Sequence, residues 1–353
     1  MQTTRDECAH VPERPSNTRP RLARQGRRAW VAGALAALCT ALLPGLAPQA
    51  SADQDSHGHD SDPAYVVNRI DDSVSVINTQ NNRVVGTIGV GDNPYEVAVD
   101  LPRARAYVTN TNSDNVSVID TNTNTVVGSP IPVGNGPFGI AVDRTRARAY
   151  VANDFDNTVS VINTNTNTVV TSIPGFNVPL EVAVDPARAR AYVTNEGNNT
   201  VSAIDTNTNT VVATIPVGGD PEGIAVDTTR ARAYVANTDD DNVSVIDTTS
   251  DQTIGSPIPV GDGPFGVGVD PRNPRAYVTN FAGDSVSVIN TITNTVVATI
   301  PVSNPSEVAV NPTTDRAYVT SFPDDTVTVI NTRNNRPVRT IGVGNGPVGI
   351  AVF

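Results

Sequence analysis

The 353-residue chain contains no lysine, and from residue 60 onward it contains no cysteine, histidine, methionine or tryptophan. Each absence removes a chemistry. Without His or Cys there is no Ser-His-Asp or Cys-His nucleophile to assemble, and without Lys there is no Schiff base. Haem held by His, Met or Cys, and structural zinc, are excluded on the same ground. Both cysteines, Cys8 and Cys39, fall among the first 52 residues, so a chain without that segment has no disulfide and must be held by its own core. Positive charge is scarce as well. The formal net charge is −12, and an acidic chain without lysine is poorly suited to nucleic acid or an anionic membrane. Past residue 53 no apolar run is long enough to span a bilayer.

Basic charge is concentrated at the start. Arg27 and Arg28 precede the apolar run Ala29 to Leu43, and Ala50-Ser51-Ala52 has the small-residue form of a cleavage site. Residues 1–52 therefore read as a signal peptide of the Sec or twin-arginine type, which predicts a secreted protein. Removing its seven Arg together with Asp6, Glu7 and Glu13 takes the net charge from −12 to −16. Residues 53–63 are polar, acidic and without periodicity, so they read as a disordered linker. His57 and His59 lie there and read as part of a solvated tail, with no metal role.

What the rest of the chain has is a period. Tyr65, Tyr107, Tyr150, Tyr192, Tyr234, Tyr277 and Tyr318 recur 41 to 43 residues apart, each opening a Tyr-Val stretch. Seven copies of that length, each with several short strands, are the signature of propeller blades. The unit starting at Pro221 shows three of its strands, Ile-Ala-Val-Asp (224–227), Ala-Tyr-Val-Ala-Asn (233–237) and Val-Ser-Val-Ile-Asp (243–247), and Val211 to Ile215 is a fourth strand in the preceding unit. We label the strands A to D. Asn, Asp, Gly and Pro between them mark tight turns. Proline at 132, 174, 216, 259 and 301 places D at the outer edge, where no N–H need be donated inward. The small residues of strand A, such as Ala98, Ala141, Ala183 and Gly268, suit the crowded centre. The first B strand lacks a preceding A strand, and residues 349–353 form an A strand with no B strand after it. The expected fold is therefore all-β: a seven-bladed β-propeller over residues 64–353, four antiparallel strands per blade, closed by the C-terminal strand completing the first blade.

The strings Ile-Ala-Val-Asp, Ala-Tyr-Val-Thr-Asn, Val-Ser-Val-Ile-Asp-Thr and Thr-Val-Val-Ala-Thr-Ile-Pro-Val-Gly resemble the YVTN-repeat family of seven-bladed propellers. The resemblance covers residues 64–353 and implies an exported or surface protein with a binding or scaffold role. Its more distant relatives include lactonases and haem or quinone propellers, and the fold alone does not choose between them.

The copies differ where loops meet the ring. The five Glu beyond the leader (Glu96, Glu181, Glu196, Glu222 and Glu307) all fall in the D–A or B–C loops. So do Tyr95 and Phe138, Phe155, Phe176, Phe265, Phe281 and Phe322, with Arg69 the single basic residue. The residue after the loop proline varies as Tyr95, Phe138, Leu180, Glu222, Phe265, Ser306 and Val348, against near-uniform strands. Variation at the channel mouth of a symmetric scaffold is the mark of a ligand site. Candidate ligand-binding residues are Tyr95, Glu96, Phe138, Leu180, Glu181, Glu222, Phe265, Ser306 and Glu307. The first reading is a secreted, non-catalytic, monomeric scaffold that binds a protein, a cationic peptide or an envelope polymer through this acidic, aromatic face, with no cofactor and no metal. The alternative is a lactonase-like hydrolase or lyase using channel-mouth carboxylates, which raised pKa values at Glu96, Glu181, Glu222 and Glu307 would favour. A quinone-cofactor redox propeller is a further reading. The Asp runs at 239–241 and at Asp154 and Asp156 read as turn chemistry in preference to calcium sites, and Arg103 and Arg105 with their equivalents read as structural ion-pair residues.

Overall fold

The computed structural model describes residues 63–352. The leader at 1–52, and the linker at 53–63 apart from Pro63, lie outside the described residues, as do His57 and His59.

Seven antiparallel sheets form the seven blades, each in the order A-B-C-D. In blade 2, A is Pro94–Asp100, B is Arg105–Asn110, C is Asn115–Asp120, and D comprises Thr125–Val126 and Ile131–Pro132. Blades 3 to 7 have their A strands at Pro137–Asp143, Pro179–Asp185, Pro221–Asp227, Pro264–Asp270 and Pro305–Asn311. Blade 1 joins the two ends of the chain, since its A strand is Pro347–Val352 and its B strand is Pro63–Asn68, with Tyr65 opposite Ala351 and Val66 opposite Ile350. The expected closure is present.

The core lies between blades. In one such layer Tyr192, Val201, Ala203 and Ile215 of blade 4 pack on Ile224, Ala233, Val235 and Ile246 of blade 5. Each buried Val or Ile contributes about 1.5–3 kcal/mol, so the layers carry most of the stability. D strands are exposed except for one inward isoleucine, as at Ile215, and their prolines lie at strand ends on the outer edge. In blades 2 and 5 the D strand is broken at Gly128 and Gly255, whose φ angles of 73° and 69° only glycine adopts easily.

Three polar devices repeat around the ring. Each repeat tyrosine is buried and sends its hydroxyl to the C–D turn of the next blade, as Tyr107 does to Asn167 (2.9 Å) and Tyr192 to Asp251 (2.6 Å); Tyr318 closes the ring on Asn82 (3.4 Å). The asparagine ending strand B holds strand C, Asn110 Nδ2 donating to Asn115 and to Ser117. The residue before strand C is an Asp or Asn at positive φ, and its side chain accepts an N–H from the following D–A loop. Asp114 takes Gly136 N and Asp241 takes Gly263 N, both at 2.8 Å. Asp240 and Asp156 accept loop N–H groups from Gly219 and Asn135. The Asp runs thus act as turn and loop staples. Arg103, Arg146, Arg188 and Arg230 pair with the buried Asp100, Asp143, Asp185 and Asp227 as expected. The second arginine reaches elsewhere: Arg105 pairs with Asp120 and Arg232 with Asp247, because the B–C register sets each directly opposite that aspartate.

Candidate active site in the central channel

The innermost strand of each blade begins with a proline and then steps out of register. In blade 2 Pro94 faces Asn110 but Val97 faces Val108, so Tyr95 and Glu96 occupy a bulge. The same shift falls between Pro179 and Val182 and between Pro305 and Val308. Bulges re-aim side chains, and they are frequent beside active sites.

The first bulge position forms a plug. Tyr95, Phe138 and Leu180 pack together with Phe265 against them, the Tyr95 and Phe138 rings 4.4 Å apart and tilted by 48°. Arg69 stacks its guanidinium on Tyr95 at 5.7 Å. Glu222 lines the same mouth. Two other members of the variable series sit elsewhere: Val348 packs into the layer between blades 1 and 2, and the candidate Ser306 is buried with its carbonyl accepting from the Thr279 hydroxyl.

The second bulge position forms a ring that alternates unevenly between Glu and Gly: Gly349, Glu96, Gly139, Glu181, Gly223, Gly266 and Glu307 for blades 1 to 7. Each glutamate lies against the glycine of the preceding blade. A Cβ on Gly139 would meet Glu181 Oε1 at 2.7 Å, one on Gly349 would meet Glu96 Oε1 at 2.8 Å, and one on Gly266 would strike Glu307 Oε2. The glycines create the room the carboxylates fill. Seven is odd, so blade 5 is left without a glutamate over Gly223, and its own acid, Glu222, stands one residue earlier in the mouth.

A threonine fixes each glutamate. The backbone N–H groups of Glu96, Glu181 and Glu307 donate to Thr109, Thr194 and Thr320 at 3.0, 2.9 and 2.9 Å. Thr109 and Thr320 pass their own hydroxyl protons to the carbonyls of Phe138 and Val348 in the next blade. Glu96 and Glu181 also accept from the N–H of the following residue, at 2.9 and 3.0 Å. These carboxyls are held, not swinging.

Below the plug, Glu96, Glu181 and Glu307 line one cavity of about 140 Å³ whose exposed surface is mostly polar, with the buried Ile224, Val267 and Val308 behind it. Burial raises the proton affinity of all three. Glu181 is pushed up to about 8. Glu96 stands well above its ordinary range through burial and then repulsion from Glu181 and Glu307, and Glu307 through burial and Glu181. The backbone N–H groups only partly oppose the shift. The Tyr95 phenol is raised as well, chiefly by burial and then by Glu222. Each of the three therefore keeps its proton to higher pH than a free glutamate does, which is what a general acid requires.

The structure therefore brings together seven of the sequence candidates, Tyr95, Phe138, Leu180, Glu181, Glu222, Phe265 and Glu307, at the mouth, and joins Glu96 to Glu181 and Glu307 beneath. Gly139, Gly266, Gly349 and the three threonines were not singled out. Aligning the repeats would have found them, since Tyr-Val-Thr occurs in every blade that carries one of these glutamates.

Residues 123–256 match the family described as lactonase, 7-bladed beta-propeller. No curated protein matches the chain. Among solved structures, Kuenenia stuttgartiensis hydrazine synthase aligns with a TM-score of 0.70 at 21% identity, covering 80% of this chain and 99% of that one. A functionally unknown protein from Desulfotomaculum acetoxidans DSM 771 aligns with a TM-score of 0.72 at 15% identity, over 83% and 99%. Dihydro-heme d1 dehydrogenase NirN aligns with a TM-score of 0.63 at 14% identity, over 88% and 77%. These likenesses establish the seven-bladed fold. Among the described residues no helix is long and apolar enough to cross a membrane.

The reading of a non-catalytic scaffold with a solvent-facing acidic surface is corrected by these findings. The match is to a lactonase propeller, and the bulge turns Glu96, Glu181 and Glu307 toward one another around one cavity of the central channel.

Proposed function

We propose that this YVTN-repeat propeller is a lactonase-like hydrolase whose chemistry is done by Glu96, Glu181 and Glu307. The observation that carries the reading is the convergence of three proton-retaining carboxyls, Glu96 buried and Glu181 and Glu307 half-buried, on one cavity, and the lactonase match over residues 123–256 supports it. An ionised member of the trio takes a proton from water as the water oxygen bonds to the lactone carbonyl carbon. A protonated member gives its proton to the ring oxygen as the acyl C–O bond breaks. The product is the open hydroxy acid, and the proton exchanged between the two carboxyls is redistributed before the next turnover. The Val97 and Val182 N–H groups, donating to the Glu96 and Glu181 carboxyls, keep those two aimed during that exchange. We also assign the activity to the outside of the cell, on the strength of the leader at 1–52.

The test is a pH-stat screen of γ- and δ-lactones and simple esters with the intact protein and with Glu96→Gln, Glu181→Gln and Glu307→Gln. Ring opening that falls by about 10²-fold or more in folded variants is expected, the usual scale of acid–base contributions. Absence of ring opening on every lactone, or equal rates in all variants, would overturn the reading.

A further inference from the structure

We propose that the cavity accepts a small monocyclic lactone bearing no charge and rejects lactones that carry a carboxylate or phosphate. This rests on the hydrolase reading for its reaction, but its grounds are the charge and size of the space itself.

No cationic residue lines either the mouth or the cavity below it. Arg69, the basic residue of that face, is stacked on Tyr95 and donates to Asn93 Oδ1. Arg144 reaches strand A near its other end, where it donates to the Val99 carbonyl. That carbonyl is three residues along the strand from Glu96, about 10 Å. An anionic substituent in the cavity would thus stand among Glu96, Glu181 and Glu307, with Glu222 at the only described entrance from this face, and would meet no compensating charge. Placing an anion there without a cationic partner is unfavourable.

A cationic ring is also a poor fit. It would draw the protons off the carboxyls that hold them, leaving no acid for the leaving oxygen. A neutral ring with hydroxyl groups meets no such conflict, since a protonated carboxyl donates to it and an ionised one accepts from it, in a space whose exposed lining is mostly polar. Size narrows the choice further. About 140 Å³ is well below the roughly 300–1,000 Å³ of sites for drug-sized ligands, and suits a single ring without a long acyl chain.

The experiment separates binding from turnover. The full chain is titrated calorimetrically with D-glucono-1,5-lactam, an uncharged and unreactive ring, with the counterpart bearing a 6-carboxylate, and with the counterpart bearing a 6-amine. The uncharged lactam is expected to bind at least about tenfold more tightly than the carboxylate, about 1.4 kcal/mol, and more tightly than the amine. Substituting Glu222→Arg is expected to narrow the gap between lactam and carboxylate by about threefold or more. Equal or tighter binding of either charged ring, no binding of the lactam, or an unchanged gap in the folded Glu222→Arg protein would each overturn the inference. Preferential lactam binding without ring opening of the matching lactone would sink the hydrolase reading and leave the substrate class standing.

Discussion

Glu181 occupies space that Gly139 leaves empty: its Oε1 lies 2.7 Å from where a Cβ on that glycine would stand, and its Cα is equally close. A carboxyl on one blade thereby depends on a missing side chain on its neighbour.

Substituting Gly139→Ala must therefore move Glu181 or the strand bearing it, because the Leu180 carbonyl is also within 2.6 Å of the new atom. We expect hydrolytic activity to fall by about tenfold or more with a loss of roughly 1–3 kcal/mol in stability, the usual range for overpacking. Gly86→Ala, where nothing lies within 4 Å, is the control. It should change stability by less than about 1 kcal/mol. Denaturant unfolding and initial rates on both proteins check this.

Thr194 offers a second test, since its hydroxyl receives the Glu181 N–H at 2.9 Å. Thr194→Val keeps the shape and leaves that N–H unpaired, which costs about 1–3 kcal/mol when the group is buried. We expect kcat to fall more than KM rises, because the bulge that aims the carboxyl loosens. Thr194→Ser should recover most of both losses, and a Ser variant as impaired as Val would refute a hydrogen-bonding role.

Much of this architecture was legible in the sequence, for identifiable reasons. Tyr65 to Tyr318 are legible because each repeats one job, a buried ring with its hydroxyl latched to the next blade, so selection for that job writes a period. The strand-end prolines are legible because a missing N–H is tolerated only at an edge. The channel glutamates are legible as channel-mouth residues, but the inward turn of Glu96 is not. Sorting by loops puts Glu96 with Asp92 and Asp114, whereas the bulge after Pro94 turns it inward, and a one-residue register shift cannot be read from composition. Gly139, Gly266 and Gly349 were overlooked because their contribution is an absence, visible only against the carboxyl that fills it.

Tyr95 tests the plug. Its ring packs on Phe138 at 4.4 Å and carries Arg69 on its face. Tyr95→Ala should cost about 3–5 kcal/mol, as for other buried aromatics. It should also open the mouth so that lactones with bulky ring substituents, slow with the native protein, gain in kcat/KM relative to the unsubstituted ring. Tyr95→Phe retains the ring and should retain the selectivity. An unchanged preference in folded Tyr95→Ala would place substrate entry elsewhere.

The raised carboxyls make stability depend on pH in a direction opposite to that of salt-bridged acids. Unfolded, Glu181 titrates near its ordinary 4.5; folded, it holds its proton up to about 8. Between those values the folded chain binds the extra proton, so stability falls as pH rises through the interval. The contribution is fully present below about 4.5 and lost by about 8, and for three mutually repelling carboxyls we expect it to total on the order of 1–3 kcal/mol after relaxation of the site. Calorimetry of the native protein should show Tm declining from pH 5 to pH 8, and Glu181→Gln should flatten the decline, since the amide has no proton to lose. Activity should follow a different curve. Catalysis needs one carboxyl ionised and another protonated, so the rate should fall at low pH as all three fill and again at high pH as the trio loses its protons. Glu181→Gln should shift the alkaline limb as well as lower the rate. A rate that rises steadily with hydroxide, identical in the native protein and the Glu181→Gln variant, would mean that the channel carboxyls take no part.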